Sequence, residues 1–202
     1  MTHSTLFTTS TLRLPTSANR LFSRRGLLLI TLTLACFALL QMAQGQEGDI
    51  GNDNTVEGAF ALYQDTKVNN GEFGNTALGA YTLYSNTSGN ENTATGALAL
   101  GGNMTGSDNT ATGFSALNHN TASGNTATGA NALASNTSGT SNTANGGDTL
   151  VFNVTGSGNT ATGYFALQFN TASNNTATGS QTLRNNTTGT QNTANGVGAL
   201  SS

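Results

Sequence analysis

From Asn54 onward, small and apolar residues recur on a single beat. The phrase is Asn-Thr-Ala-x-Gly-x-x-(Ala/Thr)-Leu, repeated nine times, with Val56 in place of Ala in the first copy. From the second copy the opening Asn falls at 75, 92, 109, 125, 142, 159, 175 and 192, so the steps are 17, 17, 16, 17, 17, 16 and 17 residues. Three steps span 50 residues, and 109–124 and 159–174 are near copies, which points to duplication of a three-repeat block. A fixed period this short predicts a solenoid in which each repeat is one coil stacked on the next. The expected fold is all-β: a single-stack parallel β-solenoid of about nine coils of 16–17 residues over 54–202. At about 4.8 Å per coil, such a stack is about 40 Å long.

Numbering each coil from its Asn gives every column a physical reading. Thr-Ala-Thr at positions 2–4 is a short strand, favoured by β-branched residues. Gly at position 5 ends it, either with a positive φ or with a neighbour too close for a Cβ. Ala-Leu at positions 8 and 9 is expected to be a second short strand whose Leu builds an apolar spine. Asn at positions 1 and 12 can stack as amide ladders, and Asn-Thr-Ser-Gly, as at 86–89, is turn chemistry. Alternation puts positions 2 and 4 on one face of the strand and position 3 on the other. Leu78 at position 4 favours placing 2 and 4 inside, whereas Asn145 and Asn195 at the same position favour the reverse. Inward is the expectation taken here.

The first coil, 54–74, departs from the pattern. Glu57 stands where later coils have Thr, and a longer loop with Asp65, Lys67 and Glu72 follows. A polar terminal coil of this kind predicts a cap over the open end of the stack, with regular coils from Asn75 and a short lead over 46–53.

Residues 1–45 read as an export signal. Arg13, Arg20, Arg24 and Arg25 form a basic stretch, 26–40 is an apolar run of 15 residues, and Ala43-Gln44-Gly45 offers a cleavage site. The run is short for a membrane span, which needs about 20 residues. An uncleaved anchor is the alternative; otherwise no transmembrane segment remains after signal removal. Cys36 is a small hydrophobe within that run.

Removing the signal leaves no cysteine and nine acidic residues against two basic ones, Lys67 and Arg184, a net charge of −7. A nucleic-acid binder needs clustered Lys and Arg, so nucleic acid is not an expected partner. No serine stands near a histidine and carboxylate that could activate it. His119 is a lone surface histidine where zinc needs three or four ligands. The acids Asp65, Glu72, Glu91, Asp108 and Asp148 do not recur at one coil position, which argues against a calcium-loaded repeat. No catalytic residue, metal or cofactor is expected.

The phrases Asn92-Thr-Ala-Thr-Gly-Ala-Leu-Ala-Leu and Asn159-Thr-Ala-Thr-Gly-Tyr-Phe-Ala-Leu resemble the head repeats of trimeric autotransporter adhesins, the YadA-like head, which also occur in phage tail fibres. The resemblance covers about 54–200 and implies a left-handed parallel β-roll that assembles as a homotrimer with its second strand facing the trimer axis. Position 4 is mostly Thr rather than the family's Ile, and neither stalk heptads nor barrel strands follow the repeats in this sequence. The functional expectation is an exported, extracellular or cell-surface protein, an adhesin-like head or structural rod meeting a host or matrix ligand. A passive truncated head fragment is a further alternative.

One array could carry function: Thr93, Thr95, Thr110, Thr112, Thr126, Thr128, Thr160, Thr162, Thr176 and Thr178. Facing outward, it would form a double row of hydroxyls and methyls. Such Thr-x-Thr arrays resemble those of β-helical ice-binding proteins, an alternative that expects a monomer with Thr95, Thr112 and Thr128 in an exposed row. Facing inward, or toward a trimer axis, the same residues are packing.

Overall fold

The computed structural model describes residues 48–49, 53–64 and 74–201. The expected export signal, most of the 46–53 lead and the loop with Asp65, Lys67 and Glu72 lie outside them. Ten short strands follow one another in order: β1 (Gly48–Asp49), β2 (Thr55–Glu57), β3 (Thr76–Leu78), β4 (Thr93–Thr95), β5 (Thr110–Thr112), β6 (Thr126–Thr128), β7 (Thr143–Asn145), β8 (Thr160–Thr162), β9 (Thr176–Thr178) and β10 (Thr193–Asn195). Each lies beside the next in a single sheet, and no helix occurs among the described residues. β2 to β10 pair in parallel, each coil position on the same position of the next, without a register slip, making a β-solenoid of about eight turns. The 16-residue coils shorten the turn that follows the Asn at position 12 and leave the sheet in register.

The inside face is the reverse of the sequence expectation. Position 3 points inward: Ala77, Ala94, Ala111, Ala127, Ala144, Ala161 and Ala177 are fully buried, while their Thr neighbours point out. The interior explains the choice. Each coil packs its position-3 side chain against Leu at position 9 and the small residue at position 8, a core almost wholly of Ala and Leu. A Thr in place of that Ala would bring a hydroxyl into an apolar slot without a partner, a cost of about 1–3 kcal/mol. Leu78, Asn145 and Asn195 sit on the outer face with the Thr residues.

The second strand is also absent. Positions 6–11 form a turn-rich run in which the spine Leu is left-handed, from φ 48° at Leu62 and Leu83 to 53° at Leu133. A left-handed Leu costs about 1–2 kcal/mol, of the same order as the roughly 1.5–3 kcal/mol from burying its side chain. The run stays tied to the stack by bonds between coils, such as Leu83 N–H to Ala99 O (3.1 Å) and Leu100 N–H to Ala116 O (2.9 Å). The Leu spine is therefore present, but turns build it.

The two Asn columns behave as expected. At position 1, the backbone N–H of Asn92 donates to Asn75 Oδ1 (3.0 Å), and that of Asn109 donates to Asn92 Oδ1 (3.1 Å). At position 12, Asn103 Nδ2 donates to Asn86 Oδ1 (3.0 Å). Both columns also converge within a coil: Asn75 Nδ2 and Asn86 Nδ2 each donate to Gly89 O at 2.9 Å. These amides are buried, and each bond removes a polar group that would otherwise be unsatisfied.

At the N-terminal end, β1 lies antiparallel on β2, with Gly48 opposite Val56 and Asp49 opposite Thr55. The first coil's outer edge is thus covered by the chain's own lead, a device against edge-to-edge pairing.

Candidate interaction faces

The two outward columns of the sheet bring the ten sequence-selected Thr residues onto one surface. Thr93, Thr110, Thr112, Thr126, Thr128, Thr160, Thr162, Thr176 and Thr178 are exposed and Thr95 is half-buried. Among the described residues, none of their hydroxyls bonds a protein group, so all ten are free for water or a ligand. The position-8 threonines differ: Thr82 and Thr149 are buried, and their Oγ1 atoms donate to Gly79 O (2.7 Å) and Gly163 O (2.6 Å). The same chain uses Thr for packing at one column and for display at two others.

Selecting complete Thr-x-Thr pairs missed part of the face. Thr55, Thr76, Thr143 and Thr193 continue the position-2 column, so that column is Thr on all nine strands. The signal was present, since Thr follows the opening Asn in every copy. Glu57 is the only charged side chain in the two columns, at the first coil; Glu91 and Asp108 stand at the border of the face, just before the Asn that opens the following coil.

A second surface lies on the 6–11 side of the coil. Tyr63, Tyr81, Phe114, Phe152, Tyr164 and Phe169 are all exposed there, at 37–55% of their areas. Stacking of the coils brings most of them into ring clusters. On the first two coils, Phe60 stacks on Tyr81 (centroids 5.0 Å apart) and Tyr63 on Tyr84 (5.5 Å, interplanar 4°). Near the other end, Phe152 stacks on Phe169 at 5.3 Å. There the Arg184 guanidinium lies 4.9 Å from the Phe165 ring centroid, while its Nε donates to Gln168 Oε1 (2.8 Å). Sequence reading did not find this surface, because the aromatic residues vary from coil to coil and align only once the register is known.

The remaining chemistry is dispersed. His119 is exposed in the same side run, and no group of three or more His, Cys, Asp or Glu side chains that could hold a metal occurs among the described residues. Among the Asn-x-Ser/Thr triplets, which fit the glycosylation pattern, Asn174 and Asn185 are exposed, whereas Asn86, Asn103, Asn136 and Asn153 are fully buried in the position-12 ladder. The amides of these four are therefore structural, as the turn reading of those triplets expects.

No family model, curated protein or solved structure matches the chain.

Proposed function

We propose that this chain is a non-enzymatic, exported repeat protein. It acts as an adhesin-like head module that associates as a homotrimer and turns its Thr sheet outward to a host or matrix surface. The observation that carries this reading is the contrast between the two faces. One is a polar array with Thr at position 2 on every strand from β2 to β10 and Glu57 as the one charge in its two columns; the other holds exposed aromatic clusters. Apolar patches of this kind mark interaction surfaces on soluble proteins. Stacked Tyr and Phe rings are strong anchors for association because they bury large areas with little rotamer loss. The likeness of the Asn-Thr-Ala-Thr-Gly phrase to adhesin head repeats supports the trimer over other assemblies. So does the thin Ala and Leu core of a single copy, since three packed copies bury more apolar area.

Sedimentation equilibrium tests the association. The purified protein is expected at three times the protomer mass. The double variant Tyr81→Ser, Phe169→Ser is expected as a monomer with an unchanged far-ultraviolet spectrum. A wild-type protein that sediments as a monomer at all concentrations contradicts the homotrimer.

A further inference from the structure

We infer that the open side of the last coil, beyond β10, is a docking site for one repeat turn, Asn-x-x-Gly, carried by a separate polypeptide. Stacked repeats interact only with their immediate neighbours. The turn over 186–191 therefore offers the surface that each earlier turn offers to the coil after it, and those earlier coils show what the surface holds.

Three bonds recur where one turn sits on another. The incoming position-12 Asn donates its Nδ2 to the Oδ1 of the preceding one, as Asn153 does to Asn136 (3.2 Å) and Asn186 to Asn170 (2.9 Å). The incoming position-13 carbonyl accepts from the preceding Thr. Thr171 gives Thr187 O both its N–H (3.1 Å) and its Oγ1 proton (2.8 Å). The incoming position-15 carbonyl accepts from the Asn that opens its own coil, as Gly189 O does from Asn175 Nδ2 (2.8 Å).

At 186–192 the same groups stand ready. Among the described residues, no donor reaches Asn186 Oδ1, and the Thr187 N–H, the Thr187 hydroxyl and Asn192 Nδ2 have no acceptor. With Leu183, Gly189 and Leu200 they line an open pocket of about 320 Å³. Leu200 is 64% exposed there, whereas Leu100, Leu117 and Leu167 of the same spine are fully buried. One acceptor, three donors and an apolar wall in this order match one segment, the turn the chain itself repeats. Docking continues the coil-on-coil contact by one step, with main-chain and amide bonds as in strand addition to a sheet edge.

The position-12 amide is the group read most strictly. Asp in its place would set a carboxylate against Asn186 Oδ1, acceptor against acceptor. A folded second copy does not supply the segment. Its position-12 residues from Asn86 to Asn170 are fully buried in its own ladder, and its first strand is covered by β1. The partner is a polypeptide whose turn is not already stacked.

Fluorescence anisotropy with a labelled peptide of residues 136–146 tests this, since that stretch carries a complete turn and the strand after it. Saturable binding to the purified protein is expected. The same peptide with Asn136→Asp should bind at least about tenfold more weakly, because a buried acceptor is left unpaired. In the protein, Thr187→Val and Asn192→Asp should each weaken binding of the unchanged peptide. Their far-ultraviolet spectra should match wild type, because each loses a group that bonds nothing within the described chain. Wild-type protein that does not bind, or that binds the Asn and Asp peptides equally, overturns the inference. So does an assembly mass that falls by half in Asn192→Asp, which would place a second copy in the pocket.

Discussion

Leu117→Asp is expected to abolish cooperative folding, whereas Asn118→Asp, one residue on, should melt close to wild type. Leu117 is fully buried at the centre of the spine, packed among Ala and Leu of its own and adjacent coils. A carboxylate there has no cation to pair with. Burying an unpaired charge costs many kcal/mol unless the group takes up a proton, against a total stability of about 5–15 kcal/mol for a typical domain. Asn118 is half-buried and opens to solvent on the 6–11 side, so its carboxylate stays hydrated. Thermal melts followed by far-ultraviolet circular dichroism compare the two. Equal midpoints would mean that the spine does not face inward.

Gly129→Ala should be far more damaging than Gly196→Ala, the same single-methyl change on the last strand. Both glycines end a Thr-Ala-x strand and have φ values that only glycine adopts easily, 129° and 118°. A Cβ at Gly129 would stand 2.6 Å from both the carbonyl carbon and oxygen of Gly146, backbone atoms of the next coil. At Gly196, on the last strand, nothing lies within 4 Å. Dihedral strain of about 1–3 kcal/mol is common to both substitutions. Only Gly129→Ala must also push two coils apart and break the bonds between them. Its urea midpoint is expected to fall well below that of Gly196→Ala. Coincident midpoints would show that strain alone accounts for the glycine column.

Much of this architecture was legible because repetition supplies its own controls. Asn at positions 1 and 12, Gly at 5 and Leu at 9 hold their identity while their neighbours change, and each became the ladder, turn or spine expected of it. Two features were not legible, for a shared reason. Alternation along a three-residue strand states that Thr and Ala face opposite ways but not which way is in. The answer depends on the apolar chemistry of the interior, which holds Ala, or Val56 in the first coil, opposite the Leu spine and leaves the Thr hydroxyls outside. Likewise, Ala-Leu carries strand-like apolar content, yet left-handed residues such as Ser115 (φ 55°) and Leu117 (φ 52°) bend the run into turns. The Leu column holds no glycine, and the Ser115 column holds one only in the last coil, Gly198 (φ 65°), so local chemistry gave little warning. The short β1 that covers the first coil's edge comes from a lead without any repeat signal.

The candidate site divides the same way. The Thr array could be named residue by residue from the period, and its exposure then followed from the apolar chemistry of the core. The aromatic face could not be named, because Phe60, Tyr81, Phe152 and Phe169 share no phrase and meet only through the register.

The inside-out assignment of the strand underlies both faces, and thiol labelling tests it most directly. The sequence contains one cysteine, Cys36, which Cys36→Ser removes. In that background, Ala111→Cys and Thr112→Cys place a thiol on adjacent residues of β5. A thiol reacts only where reagent can reach it as thiolate. Thr112→Cys is expected to label in the native protein about as fast as in the unfolded chain, whereas Ala111→Cys should stay protected until denaturant opens the stack. Rapid labelling of Ala111→Cys with protection of Thr112→Cys would contradict the account.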